Sequence, residues 1–282
     1  MSNALLSLDK TVRPCYESLD TTIPEDWRIL ATNLAHTWQT SAPSRVGLGG
    51  GQGAGKSTLS QAIVDASEFF GLRVVAISID DFYLTRPERL ALAREVHPLL
   101  ATRGPPGTHD VALCESVVCD LARRDTVSIP IFDKGLDDRL NDTRTSTGPA
   151  DVVLLEGWCV GARAQLECSV TPAINDLEAQ EDPQGIWRSF INDALEKHYA
   201  KLFSLLESMI FLRVPSLEAV RRWRFEQENQ RAPGQRLSRI EVQRFVEHYE
   251  RITTWMLQDL PRRADVIVDL DESHRVSDVT LT

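Results

Sequence analysis

Residues Gly50, Gly51, Gln52, Gly53, Ala54, Gly55, Lys56 and Ser57 run together as Gly-x-x-x-x-Gly-Lys-Ser, directly after the apolar stretch Val46-Gly47-Leu48-Gly49. Glycines at this spacing let consecutive backbone N–H groups curl around a polyphosphate, where side chains would stand in the way. A helix starting at the end of such a loop points its positive dipole end at the same anion. Lys56 can then reach the β- and γ-phosphates, and the Ser57 hydroxyl can ligate Mg²⁺. Beyond Ser57-Thr58, apolar residues at 59, 62, 63 and 66 repeat at helical spacing, so the required helix is present. Gly50 through Thr58 are the expected nucleotide-binding residues, with ATP and Mg²⁺ as cofactors.

Two acidic sites follow β-branched or apolar runs. The first is Asp80-Asp81, in Ser78-Ile79-Asp80-Asp81-Phe82-Tyr83. Strand neighbours point to opposite faces, so one carboxylate is expected to serve as base or metal partner and the other to cap the next turn. The second is Glu156, directly after Val152-Val153-Leu154-Leu155, where a P-loop protein normally holds Mg²⁺ or its water. Two basic loops complete the set. Arg103-Gly-Pro-Pro-Gly-Thr-His109-Asp110 brings an arginine, a histidine and a capped helix start together, which suits a small carboxylate or phosphate. Phe132-Asp133-Lys134 through Asp137-Asp138-Arg139 reads as a charged, flexible loop.

These residues need a frame that brings strand ends together. The spacing predicts an N-terminal helix carrying Trp27, Leu30, Leu34 and Trp38, ended by Pro43, then the Val46 strand and a glycine-loop helix stopped by Gly71. A strand over 74–79, a helix from Arg86 to about Val96, a loop over 97–109 and a helix capped by Asp110 follow. Val127–Phe132 reads as a strand made irregular by Pro130, residues 133–150 as polar turns, and 152–155 as a strand buried on both faces. Downstream, the acidic stretch Asp176–Asp182 reads as a solvated loop and Ile186–Leu206 as one helix. Met209–Val214 reads as a strand, Ser216 to about Gln230 as a basic helix, Arg239 to about Leu260 as a helix, and Asp265–Leu270 as a last strand. Strands alternating with helices make the fold class α/β, a mostly parallel sheet with ligands at the strands' carboxyl ends.

The chain has 282 residues, 42% of them apolar, and a net charge of −10. That is enough apolar content for a large core, and the acidity argues against a nucleic-acid partner. The five cysteines at 15, 114, 119, 159 and 168 contain no C-x-x-C pair and read as reduced, buried thiols of a cytoplasmic protein. No signal peptide and no membrane span are expected. Guanine specificity usually comes with Asn-Lys-x-Asp. The nearest match, Phe132-Asp133-Lys134-Gly135, lacks both the Asn and the final Asp, which disfavours a GTP-dependent switch or metal-delivery protein.

Taken together, GQGAGKST, SIDDFYLT, RGPPGTHD, PIFDKGLDDR, VVLLEGWCVG and WRFEQE followed by EVQRFVEHY resemble the D-glycerate 3-kinase family of plants and bacteria. Its wider group contains uridine kinase, phosphoribulokinase and bacterial pantothenate kinase. The resemblance spans about residues 45 to 270. It implies a P-loop kinase domain over 45–282 with a helical lid, preceded by an N-terminal helical extension over 1–44. It also implies ATP- and Mg²⁺-dependent phosphorylation of a hydroxyl on a small hydroxy acid, most simply D-glycerate, by a monomer or homodimer. A nucleoside, a sugar phosphate or pantothenate is the alternative acceptor. By motif position Asp80 resembles the group's base, Glu156 its metal-binding acid, and Arg221, Arg222 and Arg224 its lid arginines, with Arg222 the expected catalytic one beside Lys56. Asp81, Tyr83, Arg103, His109, Asp110, Lys134 and Arg139 match the acceptor-binding segments, and Ser57 and Glu156 the metal ligands. The chain departs from the plant pattern in its short Gly135-Leu136-Asp137 and in Pro105-Pro106, where the plant loop has Asn-Ala.

Overall fold

The computed structural model describes residues 4–41, 43–229 and 236–282. Helices α1 (Arg13–Ser18) and α2 (Glu25–Ser41) precede strand β1 (Arg45–Gly50), which leads through the glycine loop into α3 (Lys56–Phe69) and then β2 (Val74–Ser78). α4 (Arg86–Glu95) begins where the Glu88 carboxylate accepts from the Thr85 backbone N–H and hydroxyl. α5 (Val111–Leu121) begins where the Asp110 side chain accepts from Leu113 N–H. The hairpin β3 (Thr126–Asp133) and β4 (Asp138–Thr147) leads to β5 (Val152–Gly157). Short helices α6 (Glu167–Val170) and α7 (Asp176–Glu181) follow, then α8 (Ile186–Ala194), a π-turn over Leu195–Tyr199 and α9 (Ala200–Phe203). β6 (Ser208–Arg213), α10 (Leu217–Asn229), α11 (Arg239–Asp259), β7 (Val266–Leu270) and β8 (Val276–Leu281) complete the chain.

The main sheet runs β2-β5-β1-β6-β7-β8, parallel except for β8, which pairs antiparallel with β7. β5 is buried along its length. Val153 and Leu155 point into a core shared with α5, α8 and α11, and Val152 and Leu154 into one shared with α2, α3 and α10. This is the continuous apolar run of a strand covered on both faces. Because neighbouring strands are parallel, the ends of β1, β2 and β5 open on one edge, and the glycine loop, Ser78 and Glu156 meet there. No helix among the described residues is long and apolar enough to cross a membrane.

Several expectations are corrected. Residues 138–147 are not turns: β4 pairs with β3 from Thr126↔Thr147 to Asp133↔Asp138, with a register shift between Pro130 and Phe132. Its Thr143, Thr145 and Thr147 have β-branched backbone preference but no apolar alternation, because β4 lies outside the main sheet and is largely exposed, while its partner β3 packs onto the core. The acidic stretch 176–181 is a helix, not a solvated loop. Glu178 and Asp182 are buried against Arg251, 73 residues away, and Arg188, 6 residues away, whose charges offset theirs. The single helix expected over 186–206 is continuous from 186 to 203 but widens into a π-turn over Leu195–Tyr199, where the Tyr199 hydroxyl meets Gly107 N–H and His109. β8 lies beyond the strand expected to be last. Burial, expected for all five cysteines, holds for Cys15, Cys114 and Cys159. Cys119 is half-buried and Cys168 exposed, and all five are free thiols. Gln230, the expected end of the basic helix, lies outside the described residues.

Candidate active site

The loop between β1 and α3 is shaped by two left-handed glycines, Gly53 at φ 76° and Gly55 at φ 85°. Side chains are excluded there by packing as well. A Cβ on Gly55 would stand 2.9 Å from Trp27 of α2, and one on Gly53 would stand 3.1 Å from Trp223 of α10. Lys56 folds back over the loop and donates to the Gly50 and Gly51 carbonyls at 3.0 Å each. Burial pulls its pKa below the usual lysine range, against the opposing pull of Glu156 and Asp80. Ala54 is buried beneath the loop.

Ser57 at the start of α3 donates its hydroxyl proton to the Glu156 carboxylate at 3.1 Å. Glu156 is buried, which raises its pKa against the lowering influence of Lys56. One hydroxyl and one carboxylate side by side beneath a phosphate loop fit Mg²⁺, which takes few protein ligands and completes its shell with phosphate oxygens and water. Among the described residues no group of three or more His, Cys, Asp or Glu could hold a metal on its own.

Asp80 and Asp81 lie in a 3₁₀ turn, Ile79–Phe82, capped by the Ser78 hydroxyl, and not on a strand. The turn, rather than strand alternation, separates their carboxylates. Asp80 faces the cleft. Its Oδ1 accepts from the Tyr83 hydroxyl at 2.8 Å and its Oδ2 from Lys134 Nζ at 2.7 Å. Burial pushes its pKa up, but Lys134 and Tyr83 outweigh that and hold it below the usual carboxylate range. Asp81 turns instead toward the Phe132 backbone and Arg144, and its pKa is raised by burial.

The two charged segments meet as one wall. Arg103 pairs with Asp137, and its Nη2 donates to the Lys134 carbonyl at 3.4 Å. Asp137, in the left-handed region at φ 58°, also pairs at 3.0 Å with the buried Arg89. Asp133 Oδ1 accepts from the N–H groups of Gly135 and Leu136, so the segment expected to be flexible is a tied hairpin turn. On the other strand of the hairpin, Asp138 accepts from Arg86 N–H. The Arg103 loop is fixed from behind, its Arg103 and Gly104 carbonyls accepting from Tyr249 and Trp158 at 2.9 and 3.1 Å.

These parts enclose a cleft of ≈ 520 Å³. It is lined by Gln52, Gly53, Gly55, Lys56, Ser57, Thr58, Asp80, Tyr83, Arg103, Lys134 and Glu156 from the sequence expectations. Asp81, His109, Asp110, Arg139 and Arg222 do not line it. His109 lies behind Tyr83, its ring stacked on the phenol at 4.5 Å and its Nδ1 2.6 Å from the Tyr199 hydroxyl. Burial lowers its pKa to about 4, so it is neutral at pH 7 and a poor anion ligand. Arg139 pairs at 3.3 Å with Asp110, the cap of α5. Arg222 is turned to the β7–β8 loop, donating to the Glu272 carbonyl and carboxylate. Arg224, two residues on and on another helix face, is the α10 arginine that lines the cleft. Sequence reasoning also missed Trp158, Gln227, Phe245, Tyr249 and His274. Trp158 lies two residues after Glu156 and was within reach of that motif, and Gln227, Phe245 and Tyr249 fall inside the WRFEQE and EVQRFVEHY segments, whereas His274 arrives from the β7–β8 loop with no local signal.

A six-stranded, mostly parallel sheet with a glycine loop, a Ser–Glu pair at its end and an acid across the cleft is the frame of a P-loop kinase. No protein-family model matches the chain. It is 32% identical over 221 residues to an uncharacterized kinase, mug58, of Schizosaccharomyces pombe, covering 73% of this chain and 78% of that one. It is 29% identical over 222 residues to the chloroplastic D-glycerate 3-kinase of Arabidopsis thaliana, covering 73% of this chain and 46% of the plant protein. The fold is shared with a D-glycerate 3-kinase from Cryptococcus neoformans at a TM-score of 0.70 and 24% identity, covering 98% of this chain and 100% of that one. The chain, to which the plant D-glycerate 3-kinase is also similar, belongs to the same family of P-loop kinases as mug58, and it is a small-molecule phosphotransferase with a hydroxyl acceptor.

Proposed function

We propose that this kinase transfers the γ-phosphoryl group of ATP to a hydroxyl of a small hydroxy acid, D-glycerate first, with Mg²⁺ as the metal. The observation that carries the acceptor is the wall itself: Lys134 and Arg103 stand beside Asp80 in the same cleft as the glycine loop. The name of the plant relative supports the same substrate class.

In this reading the backbone N–H groups of Gly51 to Lys56 and the Lys56 ammonium hold the polyphosphate, and Ser57 and Glu156 hold the metal, which neutralises charge on the β- and γ-phosphates. Asp80 accepts or orients the acceptor's hydroxyl proton, with Tyr83 fixing the carboxylate from below. Lys134 and Arg103 receive the acceptor's carboxylate. Arg224, which lines the cleft while paired with the buried Glu228, takes the part first expected of Arg222 and neutralises charge on the transferring group, since Arg222 is turned out of the cleft to the β7–β8 loop. Phosphoryl transfer needs positioning and electrostatic stabilisation more than covalent help, and these groups supply both. His109 supports Tyr83 and does not touch the acceptor. Residues 45–282 form the kinase proper, and 1–44 is an extension that packs against its loop through Trp27.

The deciding experiment is a coupled assay of D-glycerate, glycerol, uridine and pantothenate side by side. Preference for D-glycerate over glycerol by two orders of magnitude or more, about the 10²-fold that one or two hydrogen bonds to charged groups contribute, supports the reading. Equal use of the two, or preference for uridine, overturns it.

A further inference from the structure

Both oxygens of the Asp80 carboxylate are already engaged by the protein. Tyr83 donates to Oδ1 at 2.8 Å and Lys134 to Oδ2 at 2.7 Å. Each donor favours the charged carboxylate over the protonated one and so weakens it as a proton acceptor. The two donors differ in mobility. Tyr83 is buried, stacked on His109 and edged by Phe132. Lys134 stands on the hairpin turn with 60% of its side chain exposed, against 27% for Arg103 and 19% for Arg139 on the same wall. A cation this exposed stays open to solvent and to a competing anion while it pairs with Asp80. The partner carboxylates of those arginines have structural roles, Asp137 gripped by Arg89 and Asp110 capping α5. Lys134 is thus the cation on this wall whose carboxylate can be exchanged for another without loosening a turn or a helix.

We propose that Lys134 is a positioning residue that restrains Asp80 until an anionic acceptor competes for its ammonium, so that the acceptor's own charge releases the base that acts on its hydroxyl. An ammonium carries three donors, so Lys134 can pass from Asp80 to the acceptor's carboxylate through a shared arrangement without being stripped of partners. Asp80 Oδ2 then takes the hydroxyl proton as the hydroxyl oxygen bonds to the γ-phosphorus. The bond from the γ-phosphorus to the bridging oxygen breaks, and ADP leaves with that electron pair. Water, a neutral competitor for the same phosphorus, cannot draw Lys134 away and meets a restrained carboxylate. This rests on the acid-acceptor reading above, but half of its test does not.

The test compares acceptor-free ATP hydrolysis, followed by phosphate release, with transfer to D-glycerate in wild type, Lys134→Met, Lys134→Arg, Asp80→Asn and the Asp80→Asn/Lys134→Met pair. Lys134→Met should raise hydrolysis by about tenfold, a fraction of what a positioned base contributes, while lowering kcat/KM for D-glycerate. Lys134→Arg should keep hydrolysis low by keeping the ion pair. In the Asp80→Asn background the Lys134 change should move hydrolysis no further, because the effect runs through that carboxylate. Hydrolysis that falls or stays level in Lys134→Met overturns the proposal, as does a rise that persists without Asp80. If wild type ignores D-glycerate, the acceptor reading fails while the hydrolysis arm still decides the role of Lys134. Lys134→Gln reads the same quantities should the methionine variant fail to fold.

Discussion

The two ends of the cleft are built on opposite plans. The glycine-loop end, where we propose the nucleotide sits, is one unbroken run, Gly50 to Thr58, which offers mainly backbone around glycines that neighbouring tryptophans keep bare. The charged wall, where we propose the acceptor sits, comes from separate segments, the Asp80 turn, the Arg103 loop and the Lys134 hairpin, and offers side-chain charge already paired with internal carboxylates. The backbone end depends on conformation, so few substitutions alter it gently. The side-chain end depends on which carboxylate each cation meets, so its specificity can be retuned one residue at a time.

The largest effect belongs to Asp80. Asp80→Asn should lower kcat by about 10²–10⁴-fold with ATP affinity little changed, and Asp81→Asn should be far milder; stopped-flow phosphoryl transfer with ATP titration checks both. The reverse ranking would move the base to the carboxylate that faces Arg144. Lys56→Ala should cost about 10²–10³-fold in kcat/KM for ATP, the loss seen when one preorganised donor is removed from a transition-state site. Wild-type turnover in that variant would break the contrast at its backbone end.

His109 sharpens the contrast through pH. Its pKa is about 4 when folded, below the ordinary 6.5, so between these values the unfolded chain binds the extra proton and stability rises with pH. Acidification from pH 6.5 to 4 should cost about 3 kcal/mol from this residue alone, and His109→Gln should flatten that part of the profile in denaturant titrations. An unchanged profile would mean the imidazole is not the buried neutral group described. Arg103→Ala should raise the acceptor's KM by about tenfold, the worth of one charge-assisted hydrogen bond, leaving KM for ATP near wild type. Arg139→Ala, whose guanidinium serves Asp110, should do less. Smallest of all, Arg222→Ala should change kcat by less than about threefold, as expected for an exposed ion pair, while Arg224→Ala lowers it more.

The glycine loop, the β5 acid and the helix cap at Asp110 were legible because each is set by neighbours in sequence. A β run ending in an acid, or an Asp before an apolar helix face, carries its own local geometry. What escaped depends on distant partners. β4 has no apolar stripe because it pairs with only one strand outside the main sheet. Glu178 reads as a solvent-facing acid because Arg251, which buries it, lies 73 residues away, whereas Asp182 meets Arg188 only 6 residues on, across the start of α8. The choice of Arg222 over Arg224 was a question of helix rotation, decided by Glu272 in a loop that β8 holds in place. Asp80 was selected by motif position, and the geometry that separates it from Asp81 is a turn that strand alternation did not anticipate.

Trp27 touches the place where Gly55 would carry a Cβ, and its indole N–H donates to the His274 carbonyl at the far rim of the same cleft. Trp223 covers Gly53 and stands 4.0 Å from the His274 ring. The phosphate loop is therefore backed by two buried indoles, so any shift of the loop on occupancy would alter their surroundings along with those of Trp158, which lines the cleft. Intrinsic fluorescence gives a label-free optical readout of occupancy, and replacing Trp27 or Trp223 by phenylalanine assigns the signal to one side of the loop.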